Sequence, residues 1–160
     1  MATTGPRRRR SDARPPRTAT LRTSAEAAGA ADAAAAGRSI ALALEAARRT
    51  RRPMTVVAVA LPAGARAGAL DEVASIVRYT VRDTDALWPD GGDGLILVLA
   101  DADGPICEPA LARLRMRLKR EGFREVLMGR AAPAPGISAE VLLELVRSDM
   151  RPISQHRSPG

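Results

Sequence analysis

Residues 81–104 read VRDTDALWPDGGDGLILVLADADG, and how Asp90-Gly91-Gly92-Asp93 is read within them decides the architecture. Ala86-Leu87-Trp88 precedes that corner and Leu95-Ile96-Leu97-Val98-Leu99 follows it, so a short turn-forming stretch separates two apolar runs. Glycine tolerates the positive φ that two-residue turns demand, and the pattern predicts a β-hairpin. A hairpin here commits the neighbouring segments to a sheet.

Working outward, MTVVAVAL (54–61) is a continuous β-branched run, short enough for a central strand buried on both faces. Leu70, Val73, Ala74, Val77 and Val81 recur at helical spacing and predict an amphipathic helix over about 68–82. A further helix is expected over about 107–121 (Leu111, Leu114, Leu118), a strand over 125–132 and a final helix over 139–150. Ile40, Leu42, Leu44 and Ala47 lead through Arg48, Arg49, Arg51 and Arg52 to Pro53, a helix closed by basic residues and a proline. The order is α/β, one mixed sheet flanked by helices.

The chain has 160 residues, 46% hydrophobic, enough for one domain with an aliphatic core. Its net charge of +7 is uneven: the first 22 residues hold seven arginines against Asp12, which gives 7 − 1 = +6. That segment cannot bury enough apolar surface to offset the entropy of ordering, and residues 24–36 favour helix only by alanine propensity. Residues 1–37 are therefore expected to be a disordered Arg/Ala-rich tail and linker, 38–152 the domain, and 153–160 a polar C-terminal tail. The single Cys107 excludes an internal disulfide and a cysteine-based zinc cluster. No apolar run approaches the length of a membrane span and the basic start leads into no signal-peptide core, so a cytoplasmic protein without membrane attachment is expected.

Several stretches in order resemble the GGDEF domains of diguanylate cyclases: ALEAARRTRRPMTVVAVAL, LDEVASIVRYTVRDTDALW, GGDGLILVL, PALARLRMRL and EVLMGRA. The likeness covers roughly residues 40–150, and its specific part is the hairpin with an upstream RxxD. It implies a palm-like α/β fold similar to adenylyl cyclases. Active members hold two magnesium ions on carboxylates at the end of the first strand and in the signature. Matched to that pattern, Ala60 and Pro62 stand where acids are expected. The guanine-binding Asn-Asp pair has no counterpart in AGARAGAL. Gly91, Gly92 and Asp93 match the signature, whereas Gly94 replaces its glutamate and Leu95 its phenylalanine. The resemblance thus implies a degenerate signature, no metal, no cofactor and no cyclase activity.

Arg82-Asp83-Thr84-Asp85 keeps the motif that in many members forms an inhibitory site for cyclic di-GMP. A guanidinium can fork onto guanine O6 and N7 or onto phosphate, and a carboxylate accepts from guanine N1–H and N2–H. The resemblance also implies an arginine recruited from the next helix, for which Arg113 or Arg115 in LARLRMR is the nearest match. The bland reading is a surface Arg–Asp pair. A catalytically inactive cyclic di-GMP receptor is the leading expectation; a protein-interaction module, homodimeric or docking on a partner, is its rival.

Trp88, Asp101, Asp103 and His156 carry lesser weight. Trp88 is expected to pack, the two aspartates to lie in a strand-end loop, and His156 has no nearby nucleophile or metal partners. RRRR (7–10) could contact nucleic acid through phosphates, yet no interleaved aromatics support that reading.

Overall fold

The structure, a computed structural model, describes residues 17–156, with side chains from residue 28 onward. Met54–Ala60 (β1) is the central strand, pairing antiparallel with Gly94–Ala100 (β3) on one side and Leu127–Ala131 (β4) on the other. Ala86–Pro89 (β2) closes one edge against β3, and Arg151–Pro152 (β5) the other against β4. The order β2-β3-β1-β4-β5 is antiparallel in every pairing. The mixing lies in the alternation of helices and strands, not in strand direction.

Strand side chains alternate between faces, and the two resulting cores take different helices. Val57, Val59, Leu95 and Leu97 face Ala69–Thr80 (α2) and Gly104–Arg120 (α3), meeting Val73, Val77, Leu111 and Leu118. Val56, Ala58, Ile96 and Val98 face Arg17–Thr50 (α1) and Ala139–Ser148 (α4), meeting Ile40, Leu44, Leu142 and Val146. β1 therefore has no solvent face apart from Ala60 at its end, as its unbroken apolar sequence predicts. Gly129 lets α4 lie directly on β4, since a Cβ there would meet the Val146 carbonyl oxygen.

Three expectations differ from the structure. α1 runs unbroken from Arg17 through the boundary placed at residues 37 and 38, and Ala36 is buried. Small side chains allow that approach without any apolar signal in the sequence. Residues 153–160 do not begin as a free tail: Ile153 is fully buried at the start of a 3₁₀ turn, and its N–H donates to the Val126 carbonyl at 2.9 Å. α3 starts at Gly104, ahead of the first expected apolar residue, because Asp103 caps it by accepting from the Ile106 N–H at 3.2 Å and Pro105 occupies its first turn. The arginine run 7–10 lies outside the described residues.

Candidate functional site

Two candidate regions flank the β2–β3 hairpin. α2 ends at Thr80, Val81 turns into extended backbone, and residues 82–85 close a turn through the Asp85 N–H to the Arg82 carbonyl at 3.0 Å. The Asp85 carboxylate fixes that turn with both oxygens. Oδ2 accepts from the Arg82 backbone N–H at 2.9 Å and Oδ1 from the Ala100 N–H at the end of β3 at 3.0 Å. Asp85 thus serves the backbone, not the Arg82 guanidinium, which is exposed and forms no ion pair among the described residues.

The structure separates the two arginines expected from α3. Arg113 is exposed on the face towards α2. Arg115, two residues on, points to the opposite side, where it is buried and pairs with Glu108. Helical geometry imposes this divergence, since i and i+2 do not share a face. The arginine that reaches the end of α2 is Arg117: its Nη1 donates to the Tyr79 carbonyl at 3.1 Å and to the Thr80 Oγ1 at 3.4 Å. Arg113, Arg117 and Arg120 share a cleft of about 360 Å³ with Met116 and with Tyr79 and Thr80, which precede Arg82 in the chain. The i, i+4 spacing of Arg117 from Arg113 was the available signal.

At the corner itself, strands end at Pro89 and resume at Gly94, so the expected two-residue turn is a four-residue loop. The Asp90 N–H donates to the Gly94 carbonyl at 2.8 Å, and Gly91 takes φ +73°, the left-handed conformation glycine permits. Ala60 lies directly across the ladder from Gly94, and the Leu61 N–H donates to the Asp93 carbonyl at 2.8 Å. A hollow of about 320 Å³ opens between Ala60, Asp90, Asp93 and Arg147. Arg147 of α4 reaches into it, its Nη2 lying 2.9 and 3.2 Å from the two Asp90 carboxylate oxygens. α1 passes over the corner at Gly29, whose Cβ position would be 3.4 Å from the Gly92 nitrogen. Among the described residues no three Asp, Glu, His or Cys side chains converge as a metal site.

No family model and no curated protein sequence matches the chain. Solved structures do match. The GGDEF domain of DgcB from Caulobacter crescentus, in complex with cyclic di-GMP, superposes with a TM-score of 0.61 at 14% identity, over 72% of this chain and 80% of that one. The fold is that of a GGDEF domain. The FimX GGDEF domain of Pseudomonas aeruginosa gives a TM-score of 0.60 at 16% identity, covering 69% of this chain and 80% of its own. An active GGEEF domain of a Vibrio cholerae diguanylate cyclase gives 0.54 at 15%, covering 71% and 88%. Within this GGDEF fold the lesser residues have structural parts. Trp88 is half-buried against the α1–α4 core, Asp103 caps α3, and Asp101 pairs with Arg52 at 3.3 Å. Cys107 is a buried free thiol and His156 lies 3.3 Å from the Met128 carbonyl. No described helix is long and apolar enough to cross a membrane.

Proposed function

We propose that this chain is a cytoplasmic GGDEF-fold signalling protein that binds cyclic di-GMP at the Arg82–Asp85 turn and makes none. One observation carries the reading: Asp85 fixes the turn through the Arg82 and Ala100 N–H groups and leaves the Arg82 side chain exposed, in a turn that follows directly on Tyr79 and Thr80, which line a cleft with Arg113 and Arg117. Arg113 and Arg117 supply charge for a doubly anionic dinucleotide, and exposed Tyr79 supplies a face on which a base can stack. The Asp85 oxygens each retain accepting capacity towards a guanine edge. That the DgcB domain binds the same dinucleotide supports the choice of ligand.

The opposite corner is unsuited to the family's magnesium chemistry. Each magnesium ion wants near-octahedral oxygen ligands, and here Asp93 is the one acid not engaged by Arg147, with alanine and glycine facing each other across the ladder.

Calorimetric titration with cyclic di-GMP tests the proposal. Saturable binding is expected, weakened about tenfold or more by Arg82→Ala and by Arg117→Ala, since each removes charge-assisted hydrogen bonds. No binding, or binding indifferent to Arg82→Ala, refutes it. Incubation with GTP and magnesium is expected to yield no product.

A second reading follows from the same carboxylate. Both Asp85 oxygens already serve backbone N–H groups, so the motif is also accounted for as a turn lock in a protein-interaction module. Such a chain ignores the dinucleotide and retains a specific partner or self-association.

A further inference from the structure

An open cavity of about 950 Å³ lies on the far side of α3 from the Arg113–Arg117 face. The first turns of α3, β4, β5 and the 3₁₀ turn line it, at the sheet edge opposite the β2–β3 hairpin. Its wall carries an unusual charge arrangement. Arg115 is only 8% exposed, a position where a guanidinium is rarely found without a charged partner. Its Nη2 pairs with one oxygen of Glu108, and the other oxygen of the same carboxylate accepts from Arg130 Nη1 at 2.6 Å.

One acid therefore serves two guanidiniums. Asp149, whose Oδ2 accepts from the Arg130 backbone N–H at 3.1 Å, adds a second negative charge and exposed Arg151 at the rim a third positive one, so the lining sets three guanidiniums against two carboxylates. A guanidinium has five N–H donors in a planar fork, and among the described side chains Arg115 spends only one nitrogen on an acid. No buried side-chain nitrogen in the described residues lacks a partner, so the remaining donors are ones that solvent or a ligand in the cavity can reach. Leu111 and Met128 supply an apolar floor, and no Phe, Tyr or Trp lines the space.

We propose that this cavity binds a small organic oxyanion, a carboxylate or phosphate ester on an aliphatic body, gripped by Arg115 and Arg130 with Glu108 as the internal counter-ion it partly displaces. The volume lies within the range of small-molecule sites. With no Phe, Tyr or Trp in its lining and His156 as its one ring, the cavity offers little stacking surface to a nucleobase, which separates this site from the dinucleotide reading of the Arg82 turn.

Calorimetric titrations at fixed ionic strength with inorganic phosphate, glycerol 3-phosphate and glutarate test it. Saturable binding of at least one organic anion is expected, glycerol 3-phosphate tighter than inorganic phosphate. Arg130→Gln, at a half-exposed position that the fold tolerates, is expected to weaken binding about tenfold, and Glu108→Gln, which frees both arginines, to tighten it by a similar factor. Arg49→Gln, exposed on α1 across the sheet, is expected to leave this binding unchanged. Absence of saturable binding to both wild type and Glu108→Gln overturns the proposal. So does equal affinity for inorganic and organic phosphate, or an equal loss in Arg49→Gln and Arg130→Gln.

Discussion

A Cβ built on Gly94 would stand 2.7 Å from the Asp90 carbonyl oxygen, inside any real contact distance, and the obstacle is backbone that the Asp90–Gly94 hydrogen bond holds in place. Gly94→Glu, which would write the family's glutamate back into the signature, therefore forces the loop open. A loss of about 1–3 kcal/mol is expected in urea unfolding, typical of overpacking a closed site, with no gain of product from GTP because Ala60 across the ladder still offers no side-chain carboxylate. Glu108 gives a second test at this scale. Burial pushes its carboxyl up, and the Arg115 and Arg130 guanidiniums more than reverse that, leaving it below the ordinary value of 4.5. A depressed carboxylate contributes stability that is full above its unfolded pKa and is lost as pH falls through the folded one. Wild type is thus expected to exceed Glu108→Gln in stability at neutral pH, with the gap closing below about pH 4.5. Thermal melts of both proteins across that range measure the gap; a constant difference would show that the pair does not titrate with unfolding.

At the scale of elements, α1 is the one the sequence conveyed least well. Its ordered contacts are made by Ala36 and Gly29, whose small side chains carry no periodic apolar signal, while Ile40 and Leu44 were visible because they are large. Ile40 is fully buried against the sheet. Ile40→Ala is expected to cost about 2–5 kcal/mol, the range for truncating a buried aliphatic side chain, and denaturant unfolding measures it. A cost near zero would mean that α1 is not docked in solution. β1, the hairpin and α2 were legible to within about two residues, since each joins strong periodicity to a glycine or proline boundary. β5 was not, because two residues ending in a proline make no pattern, and Ile153 is anchored by a single long-range hydrogen bond to Val126. The candidate site divided in the same way. Spacing gave Arg82 and Asp85, but only the rotation of α3 about its axis decides that Arg113 and Arg117 face α2 while Arg115 turns away.

Across the whole molecule the two faces of the sheet have different tasks. α1 and α4 close over the corner, with Gly29 on the glycines and Arg147 on Asp90, whereas α2 and α3 present arginines outward. A ligand bound between α2, α3 and the turn touches elements that pack on three strands, and Asp85 links that turn directly to β3 through Ala100. Binding only to the folded chain must then appear as global stability: about 2.7 kcal/mol at a free ligand concentration of a hundred times Kd. Thermal unfolding with cyclic di-GMP is expected to show a single transition moving upward with concentration. Because the recognising charges are exposed, the shift is expected to shrink as ionic strength rises past the point where the screening length falls below about 8 Å. The shift should be markedly smaller in Arg82→Ala at every salt concentration. A shift undiminished in that variant would place the dinucleotide elsewhere on the fold, and one insensitive to salt would mean that base contacts, not phosphate charge, dominate the grip.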